Sequence, residues 1–178
     1  MSLRSSTTLL STSVRLICSA NNRIACSPSP PNGVTLTSTS EPRKTVVFNA
    51  NRWAYFVGLT AKIDEEAKEL NCQTRPVAFR KHVNDGYYDT LTSDVICVGI
   101  RKFYAPYGLC SDQLRPSKSR IALRLDVWAE LMTLIPSIHA VFPALVKAKR
   151  CIVEESHVNQ VGWLDCSSCF PFGKKHSY

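Results

Sequence analysis

Between Val95 and Val141 the hydrophobic period of the chain changes once, and that change demands a sheet followed by a helix. A β-branched run ends in Ile100-Arg101-Lys102-Phe103-Tyr104, and a polar loop leads to the basic turn Leu114-Arg115-Pro116-Ser117-Lys118-Ser119-Arg120. Ile121-Ala122-Leu123-Arg124-Leu125 then alternates, and Asp126-Val127-Trp128 opens a helical pattern. Alternation is the signature of a half-buried strand, and a period of about 3.6 that of an amphipathic helix. Cations interleaved with rings on adjacent strands suit an unpaired nucleic-acid strand, because cations meet phosphates and rings stack on bases.

Upstream, the spacing predicts two further strands. Val77 to Val83 reads as a strand, Asn84-Asp85-Gly86 as a hairpin turn tolerant of positive φ, and Tyr87 to Leu91 as the return. Thr92-Ser93-Asp94 turns the chain into Val95 to Tyr104, and Arg120 to Leu125 closes a four-stranded antiparallel meander. Its apolar face needs a cover. Val127, Trp128, Leu131, Leu134 and Ile135 supply one at helical spacing, with Asp126 as the expected N-cap. Pro136 is expected to break or kink that helix, and a second segment to carry Ile138, Val141, Phe142 and Leu145, with Pro143 weakening it. Earlier still, Thr45 to Phe48 and Trp53 to Val57 read as short strands around the turn Asn49-Ala50-Asn51-Arg52, and Ala61 to Leu70 as a short helix.

The ends look different. Residues 1–42 are rich in Ser and Thr, hold Arg4, Arg15 and Arg23, and have no acid before Glu41. They read as a disordered basic tail, either phosphorylatable or an organellar presequence. Residues 43–150 form the expected domain and 151–178 a C-terminal tail. The chain has 178 residues, enough for one ordinary domain plus tails. No apolar run approaches the roughly 20 residues of a membrane span.

The formal net charge of +8 favours a polyanionic partner. Its placement is more telling: Arg75 to Leu125 holds nine Lys/Arg against four acids. The eight cysteines are scattered through a chain with no secretory signal and read as mostly free thiols, Cys97 as core packing. Cys166-Ser167-Ser168-Cys169 has the spacing of a metal half-site, which His157 and His176 could complete, but no second close pair accompanies it. No metal and no other cofactor is expected. No nucleophile elbow, zinc-protease motif, phosphate loop or dinucleotide fingerprint is present, and Glu154 and Glu155 read as solvated neighbours, so no enzyme activity is expected.

Residues 75–149 resemble the C-terminal domain of the transcriptional coactivator positive cofactor 4 family. Ile100-Arg101-Lys102-Phe103-Tyr104 matches that family's Ile-Arg, charged residue and two aromatics; Arg115-Pro116-Ser117-Lys118 matches its basic-Pro-Gly-basic turn; and Ile121, Leu123 and Trp128 fall at its final strand and helix start. Ser117 and Arg120 stand where the family prefers glycines, and the loop from Ala105 to Gln113 is longer than its usual connection. The resemblance implies an α+β fold, a curved four-stranded antiparallel sheet followed by a helix, in which two copies dimerise to bind single-stranded DNA. It implies a nuclear, transcription-linked homodimer contacting DNA through Arg80, Lys81, His82, Arg101, Lys102, Tyr104, Arg115, Lys118 and Arg120. Alternation lets only one of Phe103 and Tyr104 face the ligand, and Tyr104, whose hydroxyl tolerates water, is the expected one. Phe79 and Arg124 flank the same surface, Trp128 belongs to the core and His139 to the core edge or surface. The alternatives are an organellar or RNA-binding protein with the same sheet, or a protein-interaction module that kept the fold and lost the groove.

Overall fold

A computed structural model describes residues 16–17, 24–29, 32–39, 43–71, 79–92, 96–106, 113–153, 157 and 166–172. Over them the chain is α+β and runs twice through one series, four antiparallel strands and then a helix. In the first unit β1 (Leu16–Ile17), β2 (Ile24–Ser29), β3 (Gly33–Ser38) and β4 (Thr45–Phe48) lead into α1 (Ala50–Asn71). In the second, β5 (Arg80–Asn84), β6 (Tyr87–Thr92), β7 (Cys97–Tyr104) and β8 (Arg115–Arg124) lead into α2 (Leu125–Val141) and α3 (Pro143–Lys147).

The second unit is the meander that alternation predicts. Asp85 and Gly86 both take positive φ, 53° and 74°, which gives the hairpin the twist its strands need. Val98 faces Leu91 and Leu123, and Ile100 faces Asp89 and Ile121, so one side of the sheet is apolar except for Asp89. Between Arg101 and Phe103, β7 advances two residues while β8 advances four, so Ser117, Lys118 and Ser119 bulge opposite Lys102.

The first unit corrects the expected tail. Ile24, Cys26, Val34 and Leu36 alternate with small residues (Ala25, Ser27, Thr35, Thr37) and pack inward, enough apolar surface to order a Ser/Thr-rich segment. Pro28 is tolerated because it lies exposed near the end of β2. Trp53 to Val57 is helix rather than strand. Asn49 caps it, its side-chain oxygen accepting the Arg52 N–H at 2.7 Å and its carbonyl the Trp53 N–H at 2.9 Å. The cap overrides a β-prone composition, and the helix expected over Ala61 to Leu70 becomes the latter half of α1.

Two helix ends differ from expectation as well. Arg124, extended and without a side-chain cap bond, precedes α2, and Asp126 sits in its first turn, where a carboxylate suits the positive end of the helix dipole. The helix runs on through Pro136, giving up one backbone bond, because Leu131 and Ile138 on either side are fully buried. It stops at Phe142, whose N–H still reaches the Ile138 carbonyl at 2.8 Å, and Pro143 opens α3 at a position that needs no N–H.

The two helices bind each other reciprocally. Trp53 is the fourth residue of α1 and donates its indole N–H to His139 Nε2, at the fifteenth of α2, at 3.0 Å. Trp128, the fourth of α2, donates to Asp64, the fifteenth of α1. Fourth against fifteenth in both directions means antiparallel helices about a pseudo-two-fold axis. Phe48, Trp53, Phe56 and Trp128 form a chain of rings 5.2–5.8 Å apart along it. The apolar stripe of α2 is thus covered within the chain, and both sheets share one core.

Residues 166–172 dock onto the second unit rather than trailing free. The Asp85 N–H donates to the Ser168 carbonyl at 2.8 Å, and the Phe172 ring lies against Gly86. Arg52 of α1 reaches the same hairpin: its guanidinium pairs with Asp85 at 2.6 Å and lies 4.1 Å from the Tyr87 ring. None of the described helices is long and apolar enough to cross a membrane.

Candidate functional site

Strand register arranges the outward face of the second sheet in rows. One row runs His82, Tyr88, Arg101, Arg120 across all four strands, and the next runs Arg80, Thr90, Gly99, Ala122. The first is ring, ring, cation, cation; the second is a low floor. Gly99 keeps it low, since a Cβ there would meet Thr90 Oγ1 at 2.6 Å. With strands about 4.8 Å apart, each row spans about 14 Å. No acid occupies either row.

Arg101 directly opposes Arg120. Like charges facing across strands destabilise a sheet, so a pair with no acid between them is a poor structural choice and a good anion site. Burial first, and then the neighbouring Arg120 charge, push the Arg101 pKa down. Its Nε is buried and has no acceptor among the described residues.

The rings of this row are half-buried and held in place by their neighbours. Tyr88 lies 5.0 Å from the His82 ring and 5.1 Å from Phe103, and the Arg80 guanidinium covers Tyr88 and Phe103 at 5.7 and 5.5 Å. His82 accepts the Gly86 N–H on Nε2 at 3.3 Å. Burial, partly offset by Asp85 and aided by Arg52, holds its pKa below the usual imidazole value. It offers the row a neutral ring rather than a cation. Burial, opposed by Arg80, raises the Tyr88 phenol, which remains neutral.

The nine expected contact residues divide between surfaces. Arg80, His82, Arg101 and Arg120 share the outward face, with Arg124 one row further on. Arg115 and Lys118 are exposed where β8 bulges away from β7. Lys81, Lys102 and Tyr104 have the opposite alternation: Lys81 stands opposite buried Asp89 in the strand register, and the Lys102 ammonium lies 5.7 Å from Tyr87 on the side of α1. Tyr104 is 47% exposed yet points away from Arg101, while Phe103 shares the Arg101 face and is only 7% exposed beneath Arg80. Phe79 is buried. Tyr88 was missed, although the turn at Asp85-Gly86 pairs it with His82 and alternation then sets it beside Arg101.

A second constellation lies behind the hairpin. Cys151, His157, Cys166 and Cys169 bring one donor atom each within 4.8 Å of the others. Cys166 and Cys169 carried the expected half-site, and His157 was a named completion; Cys151 was not. His176, Glu154 and Glu155 lie outside the described residues. Burial opposes ionisation of Cys166, but hydrogen bonds from the Cys169 N–H, the Cys151 thiol, His157 and the Ser168 N–H outweigh it and bring the thiol to about 7. Burial raises Cys169 and Cys151.

No family model, curated protein or solved structure matches the chain.

Proposed function

We propose that this chain is a non-enzymatic, sequence-tolerant single-stranded DNA-binding protein that uses the outward face of its second sheet. The observation that carries the reading is the acid-free row His82, Tyr88, Arg101, Arg120, in which opposed cations adjoin an accessible ring. Phosphates would meet Arg101 and Arg120, with Arg80 and Arg124 in the two rows beyond, and an unpaired base would stack on Tyr88. Arg115 and Lys118, on the bulged end of β8, extend the positive path.

The order of elements in the second unit also fits the likeness to the positive cofactor 4 domain, and with it a role in transcription or in handling melted DNA in the nucleus or an organelle. In that family a second copy covers the helix. Here α1 covers α2, so we infer that the first unit takes the place of the second copy and that a homodimer is not needed to complete the core. Sedimentation of the full chain tests this: a monomer that binds DNA supports it, and a dimer that loses DNA on dissociation opposes it.

A titration of unpaired and duplex oligonucleotides at two salt concentrations tests the function. Tighter binding to the unpaired strand, weakening steeply with salt, is expected. Preference for single-stranded RNA over DNA would move the reading to an RNA-binding protein.

A further inference from the structure

The geometry points to a structural zinc site at Cys151, His157, Cys166 and Cys169 that pins the C-terminal segment to the hairpin of the second unit. Cys151 Sγ lies 3.3 Å from Cys166 Sγ and 3.3 Å from His157 Nε2, and Cys169 Sγ lies 3.6 Å from the same nitrogen. Ligands about 2.3 Å (S) and 2.0–2.1 Å (N) from a tetrahedral zinc are about 3.5–3.8 Å apart, so the donors stand close to the edges of that tetrahedron. A disulfide between Cys151 and Cys166 would require about 2.05 Å, far shorter than their separation.

Donor chemistry selects the ion. Three sulfurs and one imidazole are too soft a set for magnesium or calcium, and four protein ligands close the shell, which is the mark of a structural rather than a catalytic zinc. On binding, Zn(II) displaces the thiol protons to solvent and takes a ring-nitrogen lone pair of His157; no electron changes hands.

The surroundings are built as a second shell. The C-x-x-C folds into a turn in which the Cys169 and Phe170 N–H groups reach the Cys166 carbonyl at 3.1 and 2.8 Å, while the Ser168 and Cys169 N–H groups also approach the Cys166 sulfur. N–H donors on a thiolate are what orient and stabilise a ligand of this kind. The Tyr55 hydroxyl, from α1, contacts Cys169 Sγ at 3.6 Å. One residue from the ligands, the Ser168 carbonyl takes the Asp85 N–H at 2.8 Å. The metal would therefore hold the C-terminal segment together and, through it, the hairpin bearing His82 and Tyr88.

The full chain, purified without chelator, should contain about one zinc per chain by elemental analysis. Exchange for Co(II) should give intense d–d bands of a tetrahedral site together with thiolate charge transfer. Cys166→Ser with Cys169→Ser should abolish both signals, and Cys97→Ser, remote from the cluster, should leave them. If the double variant fails to fold, His157→Cys gives the deciding measurement: it should retain the metal and shift the cobalt bands toward those of a four-thiolate site. A folded chain that takes up neither ion, a metal content unchanged by the double substitution, an unshifted His157→Cys spectrum, or a Cys151–Cys166 disulfide found by mass in place of metal would each overturn the proposal.

Discussion

On the outward face of the first sheet, the residues that register sets against Tyr88, Arg101 and Arg120 of the second are Ala25, Thr37 and Thr45. Thr37 and Thr45 touch through their hydroxyls at 3.4 Å, where Arg101 and Arg120 oppose each other as two cations. Inward, Leu36 and Val46 match Ile100 and Ile121, and the two helices share the Trp of the fourth position. One scaffold thus occurs twice with its apolar side preserved and its outer side rewritten. Packing explains what is common to the units, so the ligand has to be sought in what differs. One inward position also differs: Cys26 is matched by Asp89, fully buried with neither carboxylate oxygen hydrogen-bonded.

The largest expected effect tests the equivalence itself. Trp53→Ala and Trp128→Ala should each cost about 3–5 kcal/mol in urea unfolding, and by similar amounts, because each removes a buried ring and orphans its partner on the opposite helix. A small loss at one site and a large one at the other would break the pseudo-symmetry.

Next comes the mismatched core position. Burial raises the Asp89 pKa well above its ordinary value, so the folded state retains a proton that the unfolded state releases near pH 3.9. Stability from this group is full below that pH and is lost as pH rises through the folded-state value. Asp89→Val, which restores the apolar character of its Cys26 counterpart, should remove this decline. Thermal melts near neutral pH should then show a gain of about 1–3 kcal/mol, each kcal/mol moving Tm by about 2–4 °C. A variant less stable than the parent at neutral pH would mean that Asp89 has a partner the core does not show.

Smaller effects separate the outer faces. Tyr88→Ala should weaken binding of an unpaired oligonucleotide by about 1–3 kcal/mol, while Tyr104→Ala, on the other side of β7, should change it little. Equal losses would place the strand around the edge of the sheet. Thr37→Ala and Thr45→Ala in the first unit should leave affinity unaltered, and a clear loss there would assign the ligand to both sheets.

The second unit was legible because its strands alternate cleanly, Asn84-Asp85-Gly86 dictates a hairpin, and Leu131 and Ile138 sit on one helical stripe. The first was not. Its strands are short, several of its outward residues are Thr, and its apolar residues count only once paired, as Leu36 with Val46. Trp53 to Val57 reads as strand by composition and is helix because Asn49 caps it and the α2 residue His139 receives the Trp53 indole, a partner distant in sequence. Arg101 was found from the interleaving of charge and rings, whereas Tyr88 needed the register. Cys151 needed the chain to fold back over a span that carries no periodic signal, so the pair visible in sequence is only half of the cluster.

The central claim is that the Arg101–Arg120 pair neutralises phosphates, and the salt dependence of binding measures it directly. The affinity of the full chain for an unpaired oligonucleotide, titrated over a range of salt, should give a straight line of log K against log salt. Arg101→Ala with Arg120→Ala should lower its slope by about 1.4, or about 0.7 for each phosphate contact removed, with the fold intact by circular dichroism. An unchanged slope and affinity in the folded double variant would contradict the account.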